Sequence, residues 1–305
     1  MDRVAILIVT YNSADEIAAC IDASRSFSNA DTDIVVIDNA SIDDTVAIAS
    51  ARNVRVIANP DNRGFAAAVN QGVRATTAPL LLLLNPDAHL LTPIDPLITA
   101  FHDPQVAAAA GLLLDAHGRP QTGFSIRTIP SPTALAFEVL GINRLFPRNP
   151  VNRHFRCLGL SLTMPCDVEQ PAGAFFMCRR TAWATLGGLD EQFYPIWFED
   201  VDFCARLLEA GFHIRFVPYC TSKHAGAHSI QALRVESREK YWYGSLLKYA
   251  AKHYPSSVFR GICVAVAVGS VFRILRDLTR QGRGGFAVQS AVFRFAVGRF
   301  FGPVG

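Results

Sequence analysis

Three carboxylates fall within four positions at Glu199, Asp200 and Asp202, flanked by Trp197, Phe198 and Phe203. Carboxylates crowded against bulky apolar residues are costly to desolvate, so their presence argues for a task such as general-base chemistry. Two further groups suit the same centre. Asn85-Pro86-Asp87 follows an unbroken leucine run, and His224 lies far downstream. A hard oxygen and an imidazole together suit a divalent cation, Mg2+ or Mn2+, beside a base.

The elements that must carry these groups are legible as hydrophobic runs. Val4 to Val9 is continuously aliphatic, as in a strand buried on both faces of a parallel sheet. Ser13 and Glu16 have capping-box spacing ahead of Ile17, Cys20 and Ile21, which predicts a helix. The pattern repeats: strand Asp33 to Ile37, helix Ser41 to Ala51, strand Val54 to Ala58, helix Gly64 to Ala75, strand Leu80 to Leu84. Such βαβαβ alternation predicts an α/β, doubly wound and mostly parallel sheet flanked by helices, whose ligands bind at the carboxyl ends of the strands. Polar residues gather at those ends, at Thr10-Tyr11-Asn12, Asp38-Asn39-Ala40-Ser41, Asn59-Pro60 and Asn85-Pro86-Asp87. A helix from about Glu199 turns Phe203, Leu207 and Leu208 inward and leaves Asp200 near its N-terminus, where the helix dipole favours anions. The Pro- and Arg-rich stretch from Gly123 to Pro171 is expected to wrap the crevice as loops and short helices and to select the substrate.

Composition narrows the setting. The 305 residues are half hydrophobic and carry a net charge of +3. That length suits one large domain plus an appendage. From Val258 onward seven arginines oppose a single acid, Asp277, so the basicity is local and no nucleic-acid partner is expected. Seven cysteines stand singly, without metal or redox spacing, and read as reduced thiols of a cytoplasmic protein. With the first strand starting almost at Met1, no signal peptide is expected. Val258 to Phe272 is apolar but short and interrupted for a membrane span, and Phe286 to Phe301 carries Arg294 and Arg299 among aromatics. Both suit helices lying on an anionic membrane surface at the inner face of the cell membrane; packing on the catalytic part or in a homo-oligomer is the alternative. The division expected is 1–250 for catalysis and 251–305 for the basic helical appendage.

Two nucleotide-binding solutions are excluded. Thr10-Tyr11-Asn12-Ser13 stands where a dinucleotide-binding fold needs G-x-G-x-x-G, and no P-loop occurs. Tyr11 can stack on a base and Asp38 can accept from a base N–H or a ribose hydroxyl, a pair that suits a nucleotide.

An ordered set of words makes the chain resemble an inverting family 2 glycosyltransferase of the GT-A fold, in its bacterial rhamnosyltransferase-like branch. They are Val9-Thr10-Tyr11-Asn12, Val36-Ile37-Asp38-Asn39-Ala40-Ser41, Asn62-Arg63-Gly64-Phe65 through Asn70-Gln71-Gly72, Leu84-Asn85-Pro86-Asp87, Gly173-Ala174-Phe175-Phe176, Gly187-Gly188-Leu189-Asp190-Glu191, Phe198-Glu199-Asp200-Val201-Asp202 and His224-Ala225-Gly226-Ala227-His228. The resemblance covers roughly residues 1 to 250. It implies that Thr10, Tyr11, Asp38 and Asn39 hold a pyrimidine nucleoside, with Gly64 and Asn70 near the diphosphate and sugar and Asn12 and Ser41 also substrate-binding. Asn85-Pro86-Asp87 takes the place of a metal-binding D-x-D whose first carboxylate is here an amide. Asp87 and His224 are then the metal ligands, and Asn85 reaches ribose or a bound water. Asp200 is the implied base, with Glu199 and Asp202 as supports or acceptor contacts, and Gly173 and Trp197 complete the substrate-binding set. The implied reaction moves a hexose or deoxyhexose from a nucleotide-diphosphate donor to a glycan or lipid-linked glycan acceptor, with rhamnose from dTDP-rhamnose as the leading donor. UDP-galactose or UDP-glucose donors, and a noncatalytic sugar-nucleotide-binding scaffold, are the competing readings.

Overall fold

The computed structural model describes residues 3–28, 31–226, 235–279 and 283–302. Its first part follows the expected alternation: β1 (Val4–Thr10), α1 (Ala14–Ser26), β2 (Thr32–Asp38), α2 (Thr45–Ser50), β3 (Arg55–Ala58), α3 (Phe65–Arg74) and β4 (Leu80–Leu84). β1 runs parallel to both β2 and β4, with Val4 opposite Thr32 on one side and Leu80 on the other. Every residue of β1 is buried, as a strand covered on both faces requires. The helices on the two faces differ in partners. Ile17, Cys20 and Ile21 of α1 pack on Val4, Ile6 and Ile8. Val69 and Val73 of α3 pack on Ala5 and Leu7.

The chain then builds β5 (Ala88–Leu90), α4 (Asp95–Ala100), β6 (Val106–Leu114), β7 (Ile126–Arg127), three short helices α5 (Pro132–Val139), α6 (Ile142–Leu145) and α7 (Pro150–Phe155), β8 (Cys166–Val168), β9 (Gln170–Pro171), β10 (Phe175–Arg179), α8 (Arg180–Thr185), α9 (Glu199–Glu209) and β11 (His213–His224). Among the described residues one nine-stranded sheet runs β3-β2-β1-β4-β10-β6-β11-β5, with β8 beside β11. β10 enters antiparallel between β4 and β6. Small residues on β6 make room for its rings: a Cβ on Gly111 would sit 2.1 Å from the Phe175 ring. This antiparallel insertion carries Gly173 to the carboxyl end of β4, where the Asn85 amide donates to the Ala174 carbonyl, and Gly173 meets Asp200 of α9 there.

The last helices, α10 (Val235–His253), α11 (Ser256–Thr279) and α12 (Arg283–Phe301), form a third core. Leu246, Leu247 and Tyr249 of α10 pack with Phe259, Ile262 and Val266 of α11, Val292 and Ala296 of α12, and Leu135 and Val139 of α5. The packing unit therefore starts with α10, and α10 runs unbroken through position 250.

Three local expectations need correction. α2 begins at Thr45, not Ser41, because the Asp38 and Asp43 carboxylates hold residues 41–45 as a turn. The Ser13–Glu16 capping box does not form: the Ser13 amide donates to Thr45 Oγ1 at 2.8 Å, and the Ser13 hydroxyl makes no cap bond. The apolar C-terminal segment is longer than the sequence suggested. Within α11, Ser256–Arg276 is 21 residues and holds an 18-residue window of mean hydropathy 1.9, long and apolar enough by length and composition to cross a membrane, although 39% of that window is buried against the protein.

Candidate active site

The crevice begins where β1 and β2 end. Thr10 Oγ1 donates to Asp38 Oδ1 at 2.8 Å, and the Ser41 amide donates to Asp38 Oδ2 at 2.8 Å. The Ser41 hydroxyl also donates to Asp38, and its oxygen accepts from the Asn12 amide at 2.8 Å. Asn12 Oδ1 then accepts from the Ile42 amide at 2.9 Å. This knot needs left-handed backbone at Asn12 (φ 52°) and Ala40 (φ 66°), which asparagine tolerates better than alanine. A second chain runs from Gln71 Nε2 to Asn59 Oδ1 (3.0 Å), from Asn59 Nδ2 to Asn39 Oδ1 (3.2 Å) and from Asn39 Nδ2 to the Gly64 carbonyl (3.2 Å). Thr10, Asp38 and Asn39 are buried and Tyr11 is half-buried, so a shaped, already hydrogen-bonded cradle sits where the nucleoside was expected.

Gly64 has a positive φ of 83°, and a Cβ there would meet the Tyr194 ring at 2.8 Å. Its neighbour's amide, Phe65 N, donates to the Pro195 carbonyl at 2.8 Å. α3 is thus clamped to the loop that leads into α9. Asn70, expected near the diphosphate, is turned into the same clamp. Its Nδ2 donates to the Leu189 carbonyl (2.8 Å) and to Glu191 Oε1 (2.9 Å), while its Oδ1 accepts from the Leu189 amide (3.1 Å). It therefore positions the 187–191 turn and is buried away from the crevice.

The turn itself is strained. Trp197 (φ 78°) and Phe198 (φ 71°) are consecutive non-glycine residues in left-handed backbone. Each such residue costs about 1–3 kcal/mol and persists only where its surroundings hold it. Here α10 does so: Phe198 packs on Trp242 and Tyr249 with ring centroids 6.3 and 5.5 Å apart, and Ser245 Oγ donates to the Ile196 carbonyl at 3.0 Å. The strain aims the first turn of α9 into a cavity of about 550 Å3 lined by Asn85, Gly173, Trp197, Glu199, Asp200 and His224, among others.

Inside it, Asp200 accepts from the Gly173 amide at Oδ2 (3.0 Å) and from the Val201 amide at Oδ1 (2.8 Å). Gly173 permits this approach, since a Cβ there would lie 3.3 Å from that of Asp200. Burial raises the Asp200 pKa, and the two amides and the Arg127 charge oppose the rise. Glu199 is different. It is 4% exposed, and its Oε2 is buried without a hydrogen-bond partner. Burial first, then the charge of Asp200, push its pKa well above the ordinary carboxylate range. Both carboxyls are therefore raised, Glu199 the more strongly, and only Asp200 has amide donors on both oxygens.

Asp202 does not reach this cavity. With no exposure, its carboxylate is bound by Arg206 (2.8 Å) on its own helix and by Lys252 (2.7 Å) and His253 (2.8 Å) of α10. Two residues along a helix point to opposite sides, so when Asp200 faces substrate Asp202 must face α10. It is an anchor for α9.

His224 lines the same cavity, and Asp87 lies behind it; they are 3% and 6% exposed, with Nε2 and Oδ1 3.5 Å apart. Gln121 fixes the imidazole. Its Nε2 donates to the His224 carbonyl at 2.9 Å, which orients the amide so that Oε1 accepts from His224 Nδ1 at 3.0 Å. Nε2 is then the unprotonated nitrogen, and burial lowers the His224 pKa, with Asp87 opposing. A nitrogen lone pair facing a carboxylate oxygen with no proton between them is repulsive unless a cation joins them, so the two residues fit a divalent metal. Among the described residues no group of three or more His, Cys, Asp or Glu side chains could hold a metal, so the protein offers this pair and leaves the other positions to the Asn85 amide, phosphate or water. His228 lies outside the described residues.

Several lining residues carried no readable signal. Gln121, Glu138, Arg156 and Trp242 come from four separate elements or loops, and only the fold assembles them. Arg127 lines the same cavity.

A strand-end cradle, a strained helix entry and a carboxylate–imidazole pair are thus assembled at the carboxyl ends of the strands. Residues 5–151 match the family described as Glycosyl transferase family 2, and 153–228 match the one described as N-terminal domain of galactosyltransferase. The chain is 28% identical over 247 residues (75% of this chain, 78% of the relative) to N-acetylglucosaminyl-diphospho-decaprenol L-rhamnosyltransferase of Mycobacterium tuberculosis. It is 26% identical to the O-antigen chain rhamnosyltransferase RfbN of Salmonella typhimurium, over 73% of this chain and 66% of that one. Among solved structures, the mannosyltransferase PcManGT from Pyrobaculum calidifontis in complex with GDP-Man and Mn2+ superposes with a TM-score of 0.57 at 14% identity, covering 98% of this chain and 87% of that one. The match to Glycosyl transferase family 2 spans residues 5–151, just under half of the chain, and the fold is the GT-A fold.

Proposed function

We propose that the protein is an inverting, metal-dependent glycosyltransferase that moves rhamnose from dTDP-rhamnose to a glycan or lipid-linked glycan acceptor at the inner membrane face. The observation that carries the mechanism is the Glu199–Asp200 split. Asp200, ionised and held by two amides, takes the proton of the acceptor hydroxyl as that oxygen attacks the sugar carbon; one base on one face suffices for a single inverting displacement. Glu199, protonated, offers a hydrogen bond into the cavity from its otherwise unpartnered carboxyl. Thr10, Asp38, Asn39 and Ser41 preorganise the nucleoside cradle, and Tyr11 supplies the stacking ring. Asp87 and His224 would hold the divalent cation, which as a Lewis acid stabilises negative charge on the leaving nucleoside diphosphate.

Names of relatives support the rhamnosyl choice, and the galactosyltransferase match over 153–228 favours a UDP-hexose as the second reading. Isothermal titration with dTDP-rhamnose, UDP-galactose and UDP-glucose, each with and without Mn2+, decides between them. Metal-dependent binding of dTDP-rhamnose alone is the expected result. Selective binding of a UDP-hexose moves the assignment to the second reading, and binding of none removes the catalytic one.

For the membrane, support comes from α11. Val264, Val268, Val271, Phe272 and Leu275 are 40–61% exposed and recur at helical spacing along one side. Phe286 and Phe295 of α12 are also exposed, as are the Arg260 and Arg294 side chains. Apolar stripes beside cations suit an anionic bilayer surface. Flotation of the full chain with anionic liposomes, lost in a V268E/L275E variant that keeps its melting temperature, is the expected outcome; a chain that never floats overturns this part.

A further inference from the structure

We propose that Arg127 forms an anion subsite on the acceptor side of the cavity, which receives a phosphate or diphosphate carried by the acceptor. The proposal rests on the reading of Asp87 and His224 as the donor end.

Arg127, on the short strand β7, lines the same cavity as Asp200. Its Nε donates to the Gly123 carbonyl at 3.0 Å, and its guanidinium lies 5.7 Å from the Phe124 ring centroid and 5.9 Å from that of Phe155. Among the described residues no carboxylate comes within ion-pairing distance of it. The nearby arginine is already neutralised: Arg156 reaches both Glu138 oxygens at 3.2 Å. Arg127 is held between two rings, and the Asp200 and Glu138 charges act on it only through space, without a direct ion pair. Desolvation and then the charge of Arg156 lower the Arg127 pKa, with the charges of Asp200 and Glu138 opposing. A planar fork with free N–H groups at a partly dry site is the usual receptor for phosphate oxygens.

The donor's diphosphate is not the fitting anion. Phe124 stacks on His224, with centroids 5.3 Å apart and rings inclined by 14°, and the same ring carries the Arg127 guanidinium. The phenyl ring therefore stands between the carboxylate–imidazole pair and the arginine. An anion at Arg127 is a second one, beside the base that deprotonates the acceptor. Leu135, Phe155 and Trp242 on this side of the cavity offer an apolar continuation for a group beyond the phosphate.

The test titrates the full chain with inorganic pyrophosphate in EDTA, where no cation can hold a phosphate at Asp87 and His224, and separately with UDP in Mn2+. Wild type should bind pyrophosphate, Arg127→Gln should bind it at least about tenfold more weakly, and Asp87→Asn should bind it unchanged. UDP binding should show the reverse pattern. If Arg127→Gln is poorly folded, Arg127→Lys, which keeps charge but not the fork, should still lose several-fold. Failure of wild type to bind pyrophosphate, or equal binding by Arg127→Gln, overturns the subsite and leaves Arg127 only its charge effect on Asp200. Parallel loss of UDP binding in Arg127→Gln reassigns the arginine to the donor and also overturns it. Absence of UDP binding in every protein would instead defeat the donor reading while leaving the pyrophosphate result standing. Farnesyl diphosphate and glucose 1-phosphate, titrated in the same EDTA buffer, distinguish a lipid-borne from a soluble phosphate by which of the two binds tighter than pyrophosphate.

Discussion

At the nucleoside end of the crevice the polar side chains satisfy one another, whereas at the far end they are left wanting. Asp38 accepts from Thr10, from the Ser41 amide and from the Ser41 hydroxyl before any ligand arrives. Across the cavity, Glu199 Oε2 is buried with no partner, and Arg127 has no direct ion pair among the described residues. The first arrangement is rigid at little cost, because each buried group is paired. The second stores unfavourable free energy, and the third core stabilises it by gripping the Trp197–Phe198 turn through Trp242, Tyr249 and Ser245. Under the proposed function, binding geometry and reactivity fall to these two different regions.

Substitutions at the two ends should therefore fail in different ways. The largest effect is expected at Asp200. Asp200→Asn should cut kcat by about 10²–10⁴-fold, the usual contribution of a general base, while metal-dependent nucleotide binding stays intact. Single-turnover kinetics beside nucleotide titration measure both; unchanged turnover would remove the base assignment. At the paired end, Asp38→Ala strands several buried donors at once. It should cost about 2–4 kcal/mol of stability, seen in urea unfolding, and weaken nucleotide binding. A protein that loses nucleotide affinity without losing stability would contradict the idea of a self-satisfied cradle.

A comparable stability loss, about 3–5 kcal/mol, is expected for Asp202→Ala, because Arg206, Lys252 and His253 would then surround an empty site. Burial alone would raise the Asp202 pKa, but His253, Lys252 and Arg206 together hold it below the ordinary value of 3.8. This contribution is complete above pH 3.8 and is lost as pH falls through the lowered value. Nucleotide binding by the variant at a temperature where it remains folded should match wild type, which separates an anchor from a substrate contact.

The contrast between Asp200 and Asp202 also shows what the sequence could disclose. The aliphatic strands were legible because burial on both faces leaves no room for polar residues, and Val4 to Val9 and Leu80 to Leu84 lie where their patterns placed them. Asp87 and His224 meet as expected, although 137 positions separate them. Asn70 did not behave as expected, because its partners at Leu189 and Glu191 lie some 120 residues away, beyond any local pattern. Asp202 could have been placed better: helical periodicity alone turns it away from Asp200. Ser13 has the spacing of a cap, yet the nearby Thr45 hydroxyl takes its amide, a competition that only the assembled fold reveals.

The smallest effect is the most discriminating for the unsatisfied half of the crevice. Because Glu199 in the folded protein keeps its proton well above 4.5, the unfolded chain releases that proton first. Folding stability from this group is therefore complete below about pH 4.5 and is lost as pH rises from there toward the raised folded value. Glu199→Gln, neutral and nearly the same shape, carries no such penalty. Its melting temperature should match wild type at pH 4 and exceed it by a few degrees at pH 8, about 1 kcal/mol or more in a chain of this size. The His224 effect runs the opposite way and is shared by both proteins, since its lowered pKa costs stability only as pH falls below about 6.5. It cancels in the difference between them. A pH-independent difference would mean that Glu199 is ionised in the folded protein, and the division of labour between the two adjacent carboxylates would then have to be reversed or abandoned.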